Sequence, residues 1–138
     1  MLKETVKFTT KDRRGRSFIA VMKEINTELA QIHKRLEKNI NKSAYKGATL
    51  YVDQYVSYTS VWNLKFKYNF ENPEVALLQC LHLEYILEHE KGNSLDQERN
   101  TLKEMYGLFL QYKPYTEDQI KARKEKMMKF IQIQNLHQ

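Results

Sequence analysis

Residues 49–70 read TLYVDQYVSYTSVWNLKFKYNF, and the fold class turns on their period. Leu50, Val52, Val56, Tyr58, Trp62, Leu64, Phe66, Tyr68 and Phe70 all fall on even positions, interrupted only by Gln54 and Ser60. A period of two is the signature of a strand, whose side chains alternate between faces. The run is too long for one typical strand, so it predicts two antiparallel strands, 49–57 and 61–70, turning near Ser57 to Ser60. No Gly or Asn-Gly marks that turn, and a helix through Tyr51, Tyr55 and Tyr58 competes over the first half.

On the N-terminal side, Leu2 to Thr10 alternates so that Val6 and Phe8 share a face, which predicts a short strand. The basic turn Arg13-Arg14-Gly15-Arg16 follows. From Phe18 the apolar residues Met22, Ile25, Leu29, Ile32 and Leu36 recur at spacings of three and four. That heptad-like stripe predicts a helix over 18–43, with Ser17 as its cap. Its other face carries Lys23, Glu24, Glu28, Lys34, Arg35, Glu37, Lys38 and Lys42, and His33 is read as part of that polar side.

On the C-terminal side, Asn72-Pro73-Glu74 combines a cap, a proline at the first helical position and an acid in the first turn. The helix it opens runs to about Lys91 and is apolar around most of its circumference, as a buried helix is. Gly92-Asn93 closes it, and Ser94 with Gln97 opens the next helix, which stops before Pro114. Thr116 with Gln119 repeats the capping signature ahead of a last helix carrying Ile120, Met127, Phe130 and Ile131. The expected architecture is therefore a single α+β domain over 1–138, a small sheet packed with about four helices in the order βαββααα.

Composition narrows the class further. The chain has 138 residues, 41% hydrophobic and 29% charged, with four Gly and two Pro, which is a folded-domain composition. Cys80 is the only cysteine, so no disulfide framework exists and a reducing, cytoplasmic setting is expected. No apolar run follows the basic N-terminal residues, so no secretory leader is expected. The longest apolar stretch, Val75 to Leu87, is broken by Gln79, His82 and Glu84 and falls short of the ~20 residues of a membrane span. The bias to Lys, Asn, Tyr and Ile suits an AT-rich source such as a low-GC bacterium, its phage or another mobile element.

Charge is unevenly distributed. Residues 1–70 carry 14 basic and six acidic side chains, residues 71–104 three and eight, and residues 105–138 six and three, for a net charge of +6. Clustered Lys and Arg are what a phosphate backbone contacts. Lys11, Arg13, Arg14 and Arg16 form the densest cluster, where guanidinium groups could each donate two bonds to phosphate. Lys34, Arg35, Lys38 and Lys42 form a second zone, and Lys121, Arg123, Lys124, Lys126 and Lys129 a third. The aromatics of the proposed hairpin resemble a stacking platform for single strands, but Trp62, Phe66 and Tyr68 share the face expected to be buried. Tyr51 and Tyr55, on the opposite face, stay candidates for base contact.

Catalytic patterns are missing. His82 and His89 are two turns apart and lack a metal-ligating partner at three- or four-residue spacing. Cys80 has no neighbouring cation to activate it, and no phosphate-binding, dinucleotide-binding, nucleophile-elbow or zinc-protease motif occurs. The expectation is a non-catalytic protein, with no cofactor or metal, that associates with nucleic acid or a nucleoprotein complex through its basic patches. The alternative is a protein-binding adaptor, assembly factor or inhibitor that uses the acidic helical hairpin 73–112 and the stripe of helix 18–43.

Overall fold

The first helix, α1 (Phe18–Asn39), buries the predicted stripe: Met22, Ile25, Leu29, Ile32 and Leu36 are all 6% exposed or less. This computed structural model describes residues 18–55, 61–63, 72–90, 93–112 and 115–136, and the Phe18 side chain lies outside that set. α1 ends earlier than the expected residue 43. Asn41 then caps a 3-10 turn, Lys42–Tyr45, by accepting the Ser43 N–H at 3.2 Å. Gly47 lies inside the next helix, α2 (Lys46–Asp53).

α2 overturns the sheet reading. Its buried residues are Ala48, Tyr51 and Val52, spaced as on one side of a helix, and Leu50, which the period-two reading places inside, is 39% exposed. The reason is a partner distant in sequence. Tyr51 packs on Phe130 with ring centroids 5.4 Å apart, and the position of a Cβ on Gly47 lies 3.5 Å from Ile131, so the two backbones approach closely. Tertiary burial of one helical face outweighs the β-propensity of Leu, Tyr and Val. The competing reading, a helix through Tyr51, Tyr55 and Tyr58, is followed as far as Asp53; Tyr55 lies in the turn after α2 with its ring 5.4 Å from that of Tyr51, and Tyr58 lies outside the described residues. Val61–Asn63 forms a 3-10 turn where the second strand was expected to begin. Residues 64–70, like the N-terminal strand 2–10, lie outside the described residues.

α3 (Pro73–His89) starts as its residues dictate: the Asn72 side chain accepts the Glu74 N–H at 2.9 Å and Pro73 occupies the first turn. Residues Ala76 to Leu83 are buried without interruption, as are Ile86 and Leu87. α3 is the central helix, packed against α1, α2 and α4 (Asp96–Tyr112). A 3-10 turn, Asn93–Leu95, precedes α4. Arg99 of α4 reaches back to the end of α3, donating to the Leu87 and Glu90 carbonyls, so it satisfies acceptors that a helix terminus leaves open. The last helix, α5 (Glu117–Leu136), opens on a complete capping box, Gln119 N–H to Thr116 Oγ1 at 3.0 Å and Thr116 N–H to Gln119 Oε1 at 2.9 Å.

Among the described residues there is no strand, so the α+β class with its βαββααα order gives way to a helical bundle of five α-helices. α5 packs along α2 and reaches α3 through long side chains. No helix among the described residues is long and apolar enough to cross a membrane.

Candidate functional site

The second basic zone sits on the outer side of α1 and the turn after it, and the fold divides it. Arg35 makes a close ionic contact with Glu98 of α4 rather than an aligned hydrogen bond; Glu98 is 4% exposed and Arg35 43%. Lys42 pairs with Glu37 at 3.4 Å and stands 5.6 Å from the centroid of the Trp62 ring. Lys34 and Lys38 remain exposed, one turn apart, with no ion pair among the described residues. Lys11, Arg13, Arg14 and Arg16 lie outside the described residues.

The third zone divides in the same way. Arg123 grips Glu74 at the start of α3 with two bonds, Nε to Oε2 at 2.5 Å and Nη2 to Oε1 at 3.1 Å. Tyr115 donates its hydroxyl to the same carboxylate at 2.7 Å, and the Arg123 guanidinium lies 4.9 Å from the Tyr115 ring centroid. Desolvation and the Glu74 hydrogen bond both push the Tyr115 hydroxyl pKa up, and the Glu74 bond raises that of Arg123. Lys124 bridges Glu88 at 2.9 Å and Glu84 at 3.5 Å. Burial disfavours its ammonium form, but the two carboxylates outweigh burial and its pKa rises. Lys121, Lys126 and Lys129 are exposed.

Part of the polarised charge is thus taken up by contacts between helices. The acids of the 73–112 hairpin meet the bases of α1 and α5 inside the molecule, and the exposed charge left on those two helices includes five lysines without a partner among the described residues.

Sequence reasoning missed a buried polar cluster. His33, placed on the polar side of α1, is fully buried, and so is His82. Both imidazoles meet Trp62 edge-on, His33 at 4.7 Å and His82 at 5.4 Å between centroids. Trp62 Nε1–H donates to Thr49 Oγ1 at 3.2 Å, and His82 Nε2 lies 3.2 Å from the same oxygen. Burial, and secondarily the neighbouring His33, drive the His82 pKa from 6.5 down to about 3, so the ring is neutral at pH 7. The only signal in the sequence was a pair of histidines on apolar helices, and nothing pointed to Thr49 or to Trp62 as their partner.

Cys80 is sealed in α3, and burial raises its thiol pKa, with Glu84 adding to the effect. No group of three metal-binding side chains occurs among the described residues. Tyr51, a candidate for base contact, is 5% exposed, and burial followed by its bond to Tyr55 raises its pKa to about 12; Tyr55 is 41% exposed. Compared with known protein families, with curated proteins and with solved structures, the chain matches none.

Proposed function

We propose that this protein is a non-catalytic, cytoplasmic binding protein that associates with nucleic acid or a nucleoprotein complex through exposed basic side chains. The observation that supports this is the residue of charge after internal pairing: Lys34 and Lys38 on α1, and Lys121, Lys126 and Lys129 on α5, project to solvent. Lysines on a helix surface are suited to phosphate contacts that position a protein without reading bases. Lys11, Arg13, Arg14 and Arg16 extend the same chemistry. The adaptor reading draws less support, because the α1 stripe from Met22 to Leu36 is core and Glu74, Glu84, Glu88 and Glu98 are engaged by Arg123, Lys124 and Arg35.

Fluorescence anisotropy with labelled single- and double-stranded oligonucleotides over a salt series tests the reading. Each phosphate contact contributes about 0.9 to the log–log salt slope on a duplex and about 0.7 on a single strand. Lys34→Ala with Lys38→Ala should lower the duplex slope by about two contacts' worth, and the triple change at Arg13, Arg14 and Arg16 by about three. No binding at low salt, or an unchanged slope in both variants, removes the proposal.

A further inference from the structure

Trp62 and Val61 are 8% and 0% exposed, yet they sit on a three-residue 3-10 turn rather than on a long helix. Directed contacts as well as burial seat that turn. Asp53 Oδ1 of α2 accepts the Val61 N–H at 2.6 Å, and Thr49 Oγ1 accepts the indole N–H. The indole then fills the space between His33 of α1 and His82 of α3, covering both rings.

The cover suits only a neutral His82. Its Nε2 faces Thr49, whereas its Nδ1 is buried without a hydrogen-bond partner. Imidazolium has two N–H donors, so a proton taken up here leaves one of them buried with nothing to accept it. Among the described residues no counter-charge offsets this. From α1 the facing titratable group is His33, and it acts on His82 unfavourably. From the turn after α1, Lys42 over the indole adds a second positive charge. From α2 come Thr49, which is neutral, and Asp53, whose carboxylate is engaged by Val61 N–H. Burial raises the Asp53 pKa, so its protonation favours the seated turn and opposes release. On α3 itself the flanking Cys80 and Gln79 are uncharged, and no charge on α4 or α5 acts on His82. Among the described residues, the compensating contacts are Thr49 Oγ1 at Nε2 and cation–π attraction to Trp62, and together they are too weak to offset full desolvation.

We infer that the Val61–Asn63 turn is an acid-releasable latch: protonation at His82 expels Trp62 from its seat between α1 and α3 while the helices stay folded. Water then reaches the imidazole, which is what a buried cation without a counter-ion requires. The turn moves in preference to the helices because it is the smaller unit to displace: it gives Val61 and Trp62 to the core, whereas α1 and α3 each give a long row of side chains, among them Leu29, Ile32 and Leu36 and Leu77 and Leu81. The sign follows from linkage. The seated state holds His82 below its ordinary value of 6.5, so the released state binds more protons; seating is complete above that value and weakens as pH falls toward 3. This latch is independent of the nucleic-acid reading.

Trp62 is the only tryptophan in the chain, so its emission reports on this turn alone. Emission maximum and acrylamide quenching are followed from pH 8 to about pH 3 beside far-UV circular dichroism. Release shows as a red shift and a several-fold rise in quenching with a midpoint below pH 6.5, while helical ellipticity holds to lower pH. His82→Gln keeps an amide near Thr49 with nothing to titrate and should move the midpoint down by about one pH unit or more. If that variant does not fold, imidazole proton NMR of the wild-type chain takes its place: a His82 resonance titrating in step with Trp62 exposure is expected. The inference is overturned if emission and ellipticity change together, if emission does not change over the range, if His82→Gln leaves the midpoint in place, or if His82 and Trp62 titrate separately.

Discussion

Arg35 was a candidate phosphate contact, and its replacement offers a demanding check on the fold. Its partner Glu98 is 4% exposed, whereas Arg35 itself is 43% exposed, so the two halves of the pair are not equivalent. Arg35→Met strands a carboxylate in the interface of α1 and α4. Breaking a buried pair from that side costs about 3–5 kcal/mol, because the remaining charge is desolvated and uncompensated. Glu98→Met strands only a half-exposed guanidinium that water can solvate, and it adds an apolar side chain to the interface, so the expected cost is about 1 kcal/mol or less. The double variant should return to within about 1 kcal/mol of the wild type, a coupling of about 2–6 kcal/mol in the cycle. Urea unfolding followed by circular dichroism at pH 7.5 gives all four values. Equal costs for the two single variants, or a double variant as unstable as Arg35→Met, would refute the reasoning. The outcome also governs how binding data are read: Arg35→Met lowers nucleic-acid binding through the folded fraction, whereas Lys34→Ala with Lys38→Ala lowers it at unchanged stability.

Three further outcomes follow from local geometry. Asn72→Ala removes the acceptor of the Glu74 N–H at the start of α3 and should cost about 1 kcal/mol, measured as a lower urea midpoint at unchanged slope. Gly107 lies inside α4, exposed, and a Cβ there meets nothing within 4 Å; Gly107→Ala should therefore stabilise by about 0.5–1 kcal/mol, raising the melting temperature. Raising salt from 50 to about 300 mM should abolish oligonucleotide binding while changing the melting temperature little, because Glu98 is shielded from solvent and the exposed lysines are not. A melting temperature that falls in parallel with affinity would show that the surface ion pairs carry much of the stability.

What was legible in the sequence is what neighbouring residues decide among themselves. Asn72 with Pro73, and Thr116 with Gln119, start helices where they were expected to, since each cap closes within three residues. The α1 stripe was legible because a spacing of three and four admits one reading over five turns. Residues 50–53 were not, because a short apolar run fits period two and period 3.6 almost equally. The choice there belongs to Phe130 and Ile131, about eighty residues away, which take Tyr51 and the bare Gly47 surface as their contact. His33 was misplaced for the same reason: its sequence neighbours Lys34 and Arg35 are polar, but Trp62 covers it from a turn that no local pattern announced.

The charge pattern is the clearest case of a correct observation with two physical meanings. An acidic middle between basic flanks looks the same in sequence whether the bases face a ligand or face the acids. Three cross-helix pairings decide part of it, Arg35 to Glu98, Arg123 to Glu74 and Lys124 to Glu84 and Glu88, each closing a long loop of chain. Such pairs do little for stability where they are exposed, but they orient α1 and α5 against the α3–α4 hairpin by penalising any packing that sets like charges together. The same arrangement sorts the cations. Among the described residues, Arg35, Arg123 and Lys124 face carboxylates of the hairpin, whereas Lys34, Lys38, Lys121, Lys126 and Lys129 are left to solvent. On the proposed reading, a polyanion would contact these exposed lysines, and engaging them would leave in place the ion pairs that join the helices.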